Sequence, residues 1–262
     1  VDPVAAAQRL SVATCLGFGV GTVGVSIMLN AVTPYFPAFM STVLGQSPAL
    51  AGTLLTLSKL YDAVADILIG RLSDRTRSRW VRRRPFLLIG AVVSAGSFLM
   101  LFTPPKLDDF WLLVYMSLGL IIYSTGYSLF NVPYMTMPSE MTDGYHERTR
   151  LLGYRMVFVS IGQVLSGAGT AALIQRGGGG AAGYELMGWV MALIIFGAMT
   201  AAFFGTAKAR AIERSHAPAR LPGGQVALLL KNRPFMLLAA AKVFQFFGFS
   251  SVAVTGLLFL LN

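Results

Sequence analysis

The chain has 262 residues, 55% of them hydrophobic and 12% charged, with a mean hydropathy of +0.66. Soluble domains carry about a quarter charged residues, so this composition excludes a soluble globular protein, and it equally excludes a disordered, collagen-like or disulfide-stapled chain. The lone cysteine, Cys15, excludes an internal disulfide and a cysteine-based metal site. What remains is a polytopic, all-α integral membrane protein.

Taken in chain order, apolar runs reach the roughly 20 residues that a helix needs to cross a bilayer at Leu10–Val32, Ala49–Gly70, Pro85–Phe102, Trp111–Met137, Leu151–Ile174, Leu186–Thr206 and Pro234–Leu261. Pro34 and Pro37 are expected to close the first run and Pro104-Pro105 the third. Gly177–Gly180 is expected to form a flexible link after the fifth. Asp2 stands where a cleaved signal would carry basic residues, and the first run is too long for one. A bundle of six helices followed by a seventh reads as the first part of a longer polypeptide. The expected division is a transmembrane bundle over 1–207, a cytoplasmic linker over 208–233 and one helix of a second bundle over 234–262.

The net charge is +10, from 21 Lys and Arg against 11 Asp and Glu. The basic residues sit on one set of connections. Arg71, Arg75, Arg77, Arg79 and Arg82–Arg84 lie between runs two and three, and Arg148 and Arg150 between four and five. Lys208, Arg210, Arg214, Arg220, Lys231 and Arg233 lie between six and seven. The opposite connections hold only Lys106 and Arg176. This bias predicts a cytoplasmic N-terminus and accounts for the basic balance without a nucleic-acid partner.

Ionisable groups at membrane depth are expensive and mark function. Run two carries Lys59, Asp62 and Asp66, spaced to share one helix face. Two carboxylates one turn apart in a dry site do not both ionise cheaply, so either one holds a proton or a cation sits between them. A structural ion pair between Lys59 and one aspartate is the competing reading. Run four carries Tyr127, Ser128, Asn131 and Pro133, where the proline frees a carbonyl and Ser128 and Asn131 offer neutral oxygens. Helix–helix hydrogen bonding would explain those polar residues equally well. Run five opens with Arg155, a cation in need of a partner, and run seven carries Lys242 and Gln245. His146 and His216 fall in loops, so no histidine relay is expected. No Gly-x-x-x-x-Gly-Lys loop supports ATP-driven transport.

The segment Gly70-Arg-Leu-Ser-Asp74-Arg75-Thr-Arg-Ser-Arg79-Trp80-Val-Arg82-Arg83-Arg84-Pro85 resembles the signature between helices two and three of the major facilitator superfamily. Its ending resembles that of the glycoside–pentoside–hexuronide:cation symporters. Asn131-Val-Pro133-Tyr-Met-Thr-Met-Pro138-Ser-Glu140-Met-Thr142-Asp143, then Glu147-Arg148-Thr-Arg150 and Tyr154-Arg155, are similar to a second family segment, and Asn232-Arg233-Pro234-Phe235 to a third. The resemblance implies two six-helix bundles with the solute site between them near the midplane. This chain would be the N-terminal bundle and the first helix of the other.

The resemblance also implies roles. Lys59-Leu-Tyr61-Asp62-Ala-Val-Ala65-Asp66 matches the family's basic, aromatic, Asp-x-x-x-Asp pattern, which makes Asp62 and Asp66 the cation site, with Lys59 and the Ser128 hydroxyl beside it. Ala65 replaces a family asparagine, and a site with fewer oxygens suits a proton better than sodium. Tyr61, Tyr127, Asn131 and Arg155 would contact solute. No acid stands in run one, and Asn131 stands where an acid is usual, which argues against a galactoside. Asp74, Arg75, Arg79, Arg83, Glu140 and Asp143 would form the cytoplasmic gate. The expected function is cation-coupled (proton or sodium) symport of a glycoside or similar small organic solute in a cell membrane, the inner membrane if the source is bacterial. A lipid or lysolipid transporter and an uncoupled facilitator of the same fold are the alternatives. No enzymatic activity is expected, and no cofactor beyond the coupling ion. The expected partners are solute, cation, bilayer and the C-terminal half of the transporter.

Overall fold

The computed structural model describes residues 10–75, 84–142, 144–207, 232–242 and 244–245, and within these it leaves aside the side chains of Asp74, Arg75 and Arg84. The chain divides into two units, Val1–Glu213 and Arg214–Asn262. The described part of the first unit consists of long helices joined by short turns: α1 (Val12–Thr42), α2 (Pro48–Arg75), α3 (Arg84–Phe102), α4 (Asp109–Met141), α5 (Tyr145–Arg176) and α6 (Gly180–Gly205). In the second unit a helix covers 233–242, and the remainder of the seventh predicted run lies outside the described residues.

Every one of α1 to α6 except α2 is long and apolar enough to cross a membrane. α2 has the length, at 28 residues, but Lys59, Asp62, Asp66 and Arg71 interrupt its apolar character. A helix remains the favoured form there because it satisfies its own backbone polar groups in a dry environment.

The bundle is built around close helix approaches. α1 packs between α5 and α6, α3 packs on α4 and α6, and α2 lies mainly on α4. Glycines make the tightest of these seams. A Cβ on Gly17 would stand 2.6 Å from the Gly205 Cα, one on Gly21 2.6 Å from the Ala202 Cβ, and one on Gly24 2.9 Å from the Met199 Cγ. Gly17, Gly21 and Gly24 share one face of α1, so the α1–α6 seam admits no larger side chain. Gly90 likewise lies against the backbone of Phe130 where α3 crosses α4. Fully buried aromatics fill the space between: Phe18 stacks on Tyr134 with ring centroids 4.5 Å apart, and Phe130 stacks on the same ring at 5.1 Å. The Tyr134 hydroxyl donates to the Phe18 carbonyl and shares a 2.7 Å hydrogen bond with Thr22, which removes the cost of burying it.

Some expectations are corrected. Pro34 and Pro37 do not end the first helix, which continues to Thr42. A helix-interior proline costs about 3 kcal/mol, and the packing of buried Phe36, Phe39 and Met40, with Phe39 against Phe102 and Tyr184, outweighs it. Pro133 and Pro138 are carried within α4 in the same way. Gly177–Gly180 is a hydrogen-bonded turn and not a flexible link. Gly177 N–H donates to the Leu173 carbonyl at 3.0 Å and Gly179 N–H to the Ile174 carbonyl at 2.9 Å. Gly178, Gly179 and Gly180 hold φ of 83°, 70° and 53°, the left-handed region open to glycine. His146 lies in the first turn of α5 and not in a loop, while His216 is outside the described residues. Within α5, Leu165–Gly169 forms a π-helical turn, and the Tyr35 hydroxyl of α1 donates to its Gly167 carbonyl at 3.0 Å.

Candidate functional site

α2 and α4 both begin at the end of the bundle where Gln46 Nε2 donates to Asp109 Oδ1 (3.1 Å), so they run parallel. Their seam differs from the others. Ser58 and Ser124 share a hydrogen bond at 3.1 Å, Tyr61 and Thr125 one at 2.9 Å, and Ser128 Oγ donates to Asp62 Oδ1 at 3.2 Å. Successive turns of the two helices are thus joined by polar contacts, and these set the rotation of α2 so that Asp62 faces Ser128. Ala65, between the aspartates, and Ile69, beyond them, are buried, and Gly70 lies against Val132. α2 is about 42 Å long at the rise of an α-helix, which puts Asp62 roughly 21 Å from its start, near mid-membrane.

The structure brings Lys59, Asp62 and Ser128 together. Lys59 Nζ is 3.8 Å from Asp62 Oδ2, but its side chain is 49% exposed against 15% for Asp62, so the lysine caps the carboxylate from the open side without sealing it. Asp66 lies one turn further along the same face. Its Oδ1 is fully buried and has no hydrogen-bond partner among the described residues. An acceptor sealed from water without a donor costs about 1–3 kcal/mol, and a proton or a cation removes that cost. The competing reading, a fixed ion pair, thus accounts for Asp62 alone and leaves Asp66 without a role.

Tyr127, buried on α4, lies within electrostatic reach of Asp62, Asp66 and Arg155. Asn131 follows it by one turn, with its Oδ1 buried and without a hydrogen-bond partner among the described residues. Arg155, on α5, is half-buried, and its Nε is enclosed without a hydrogen-bond partner among the described residues. Tyr61 is held by Thr125 and partly exposed. Among the predicted gate residues, Arg79, Arg83 and Asp143 lie outside the described residues, as do the side chains of Asp74 and Arg75. Glu140 sits near the end of α4, partly buried.

A family description of MFS/sugar transport proteins matches residues 17–262. The chain belongs to this family. It is 37% identical over 166 residues to an uncharacterized symporter of Synechocystis sp., covering 61% of this chain and 30% of that protein. It is 32% identical to a glucuronide carrier protein homolog of Escherichia coli (59% and 34%) and 26% identical to an isoprimeverose transporter of Lactiplantibacillus pentosus (72% and 39%). The chain therefore spans about a third of the length of these relatives. The sugar-transport family and the helices establish a multi-pass membrane protein, as the composition required.

Sequence reasoning missed several residues. The Ser58–Ser124 and Tyr61–Thr125 contacts extend the aspartate face by one turn, and the i, i+4 spacing of Ser58 with Asp62 was the available signal. At the basic end, Glu147 Oε2 accepts from Leu10 N–H (3.1 Å) and its Oε1 lies 3.7 Å from Arg150, which also reaches the Leu10 carbonyl at 3.5 Å. This ties the start of α1, capped by Ser11, to the first turns of α5. The contact joins residues 137 positions apart, so no local pattern reveals it.

Proposed function

We propose that the full protein is a cation-coupled symporter of a small sugar-class solute, working by alternating access, with Asp62 and Asp66 as the seat of the coupling ion. The observation that carries this reading is the sealed, partnerless oxygen of Asp66 one turn from an aspartate already held by Ser128. Uptake of one cation satisfies Asp66, offsets the repulsion of the pair and frees the bundle to reorient. The proton is favoured over sodium, because Ala65 contributes no oxygen at the site. Solute would bind beside the ion, against Tyr61, Tyr127, Asn131 and Arg155. The names of the relatives, which include symporters and carriers of sugar derivatives, support the same class.

The basic end is assigned to the cytoplasm by its Arg71, Arg148 and Arg150. There Asp74, Arg75, Arg79, Arg83, Glu140 and Asp143 would latch the closed state, and Glu147 with Arg150 would keep α1 and α5 moving as one body. Exposed pairs contribute about 0–1 kcal/mol each, so the latch acts as a network.

The test is solute accumulation by the full-length protein in vesicles under a proton or sodium gradient. Asp62→Asn and Asp66→Asn should each abolish accumulation and leave the protein folded. Normal accumulation in both variants would end the coupling assignment.

A further inference from the structure

Two enclosed oxygens on facing helices lie at one level, and neither has a donor. α2 and α4 run parallel, with Asp62 opposite Ser128 and Gly70 against Val132, so Asp66 on α2 comes level with Asn131 on α4. The two also share one flank of the seam. The Tyr61–Thr125 contact occupies the other flank. At about 100° per residue, Asp66 is turned about 140° from Tyr61, and Asn131 about 120° from Thr125 in the opposite sense. Asp66 Oδ1 and Asn131 Oδ1 are each enclosed by residues of this chain, and each lacks a hydrogen-bond partner among the described residues. Because they are closed off within this bundle already, a group on the remainder of the transporter does not reach them. Lys59 lies 3.8 Å from Asp62 Oδ2 and Ser128 donates to Asp62 Oδ1, so both of these donors serve Asp62 and not Asp66. The other ionisable groups on the neighbouring helices are Tyr123 and Tyr127 on α4 and Arg155 on α5, and α1 carries no charged residue from Val12 to Thr42.

Resting on the coupling reading above, we propose that Asn131 belongs to the ion site: the transported proton resides on the Asp66 carboxyl, and its O–H donates to Asn131 Oδ1. A carboxylate and an amide oxygen are both acceptors, and burying two acceptors side by side without a donor is unfavourable. A single proton on Asp66 resolves both, since it turns one of the acceptors into the donor that the other lacks. It also needs no added room, whereas a metal cation between two enclosed oxygens has to be accommodated. Loading therefore creates a hydrogen bond between α2 and α4 where the empty site sets two oxygens against each other. Asp62 keeps Ser128 and Lys59 in both states. Once its oxygen is fixed by Asp66, the Asn131 amide holds one orientation and leaves Nδ2 for the solute. One side chain thus reads the ion with its oxygen and the solute with its nitrogen.

The experiment uses the full-length protein in the absence of solute. Infrared difference spectra taken across a pH series follow the C=O band of a protonated carboxyl, which is assigned to Asp66 by its loss in Asp66→Asn. Asn131→Leu should need a proton concentration about fivefold to tenfold higher to reach half of the full band, and the band should move to higher frequency as the hydrogen bond is lost. Asn131→Val should do the same and takes its place if leucine does not fit. Asn131→Ser, which keeps an oxygen on the side chain, should recover part of the proton affinity. Unchanged proton affinity in Asn131→Leu, with solute affinity alone reduced, would make Asn131 a solute contact only and overturn the proposal. Tighter proton binding would overturn it as well, because the amide would then serve the ionised Asp66 through Nδ2. The coupling reading fails on a different result, normal gradient-driven accumulation in Asp66→Asn. Accumulation lost in Asp66→Asn together with an unmoved band in Asn131→Leu would strike the Asn131 assignment alone.

Discussion

Two seams of the same bundle are held by opposite means. Along α1–α6 the contact is made by Gly17, Gly21, Gly24 and Gly205, with backbones so close that even a methyl group does not fit. Along α2–α4 the buried residues of α2 are few and mostly small, Ala51, Ser58, Ala65, Ile69 and Ser73, and hydroxyl contacts join the helices. Inside lipid there is no hydrophobic drive to bring helices together, so close packing and hydrogen bonds must do it. The glycine seam spends that freedom on rigidity. The hydroxyl seam spends it on orientation, and it lies where two acids face inward. The rigid body and the acidic face of α2 are thus separate products of one packing problem.

The comparison breaks most visibly at the glycine seam. Gly17→Leu should prevent assembly of the bundle, seen as loss of folded protein in detergent, because the new side chain meets the Gly205 backbone and not a movable neighbour. Gly52, with open space around its Cβ position, should accept alanine without loss. If Gly17→Leu folds normally, the seam is not as close as described. Tyr134→Phe comes next. It leaves the buried Thr22 hydroxyl without its tyrosine partner and removes the second donor to the Phe18 carbonyl, and should cost about 1–3 kcal/mol in unfolding free energy.

The hydroxyl seam should respond differently, with function moving more than stability. Ser128→Ala removes the donor that stabilises the ionised Asp62 and should tighten proton binding there by about fivefold to tenfold, the equivalent of about 1 kcal/mol, with unfolding nearly unchanged. Ser58→Ala should have the smallest effect, about 0.6 kcal/mol in stability, the mean for a hydrogen bond between membrane helices. If Ser58→Ala proves as damaging as Tyr134→Phe, the seam is a structural pillar and the contrast collapses.

The helices themselves were readable from the sequence, because apolar runs of membrane length leave little choice. Their ends were not. Pro34 and Pro37 look like stops until Phe39, Phe102 and Tyr184 are placed around them. Of the site, the aspartate face of α2 was legible from its i, i+4 spacing, and Ser128 from the family pattern. The glycines of α1 were visible but mute, since their meaning depends on Gly205, Ala202 and Met199 far along the chain. The Glu147–Arg150–Leu10 tie is equally non-local. What the sequence withheld throughout was partnership across helices, which periodicity within one helix does not encode.

The most direct measurement counts the ions. A pH-sensitive dye, with a sodium-selective electrode in parallel, would record cations taken up by the detergent-solubilised full-length protein when solute is added. The wild type should take up a single cation per solute bound, and Asp66→Asn none, with solute binding itself retained at higher concentration. Equal cation uptake by the wild type and Asp66→Asn would contradict the assignment of the α2 aspartates as the seat of the transported ion.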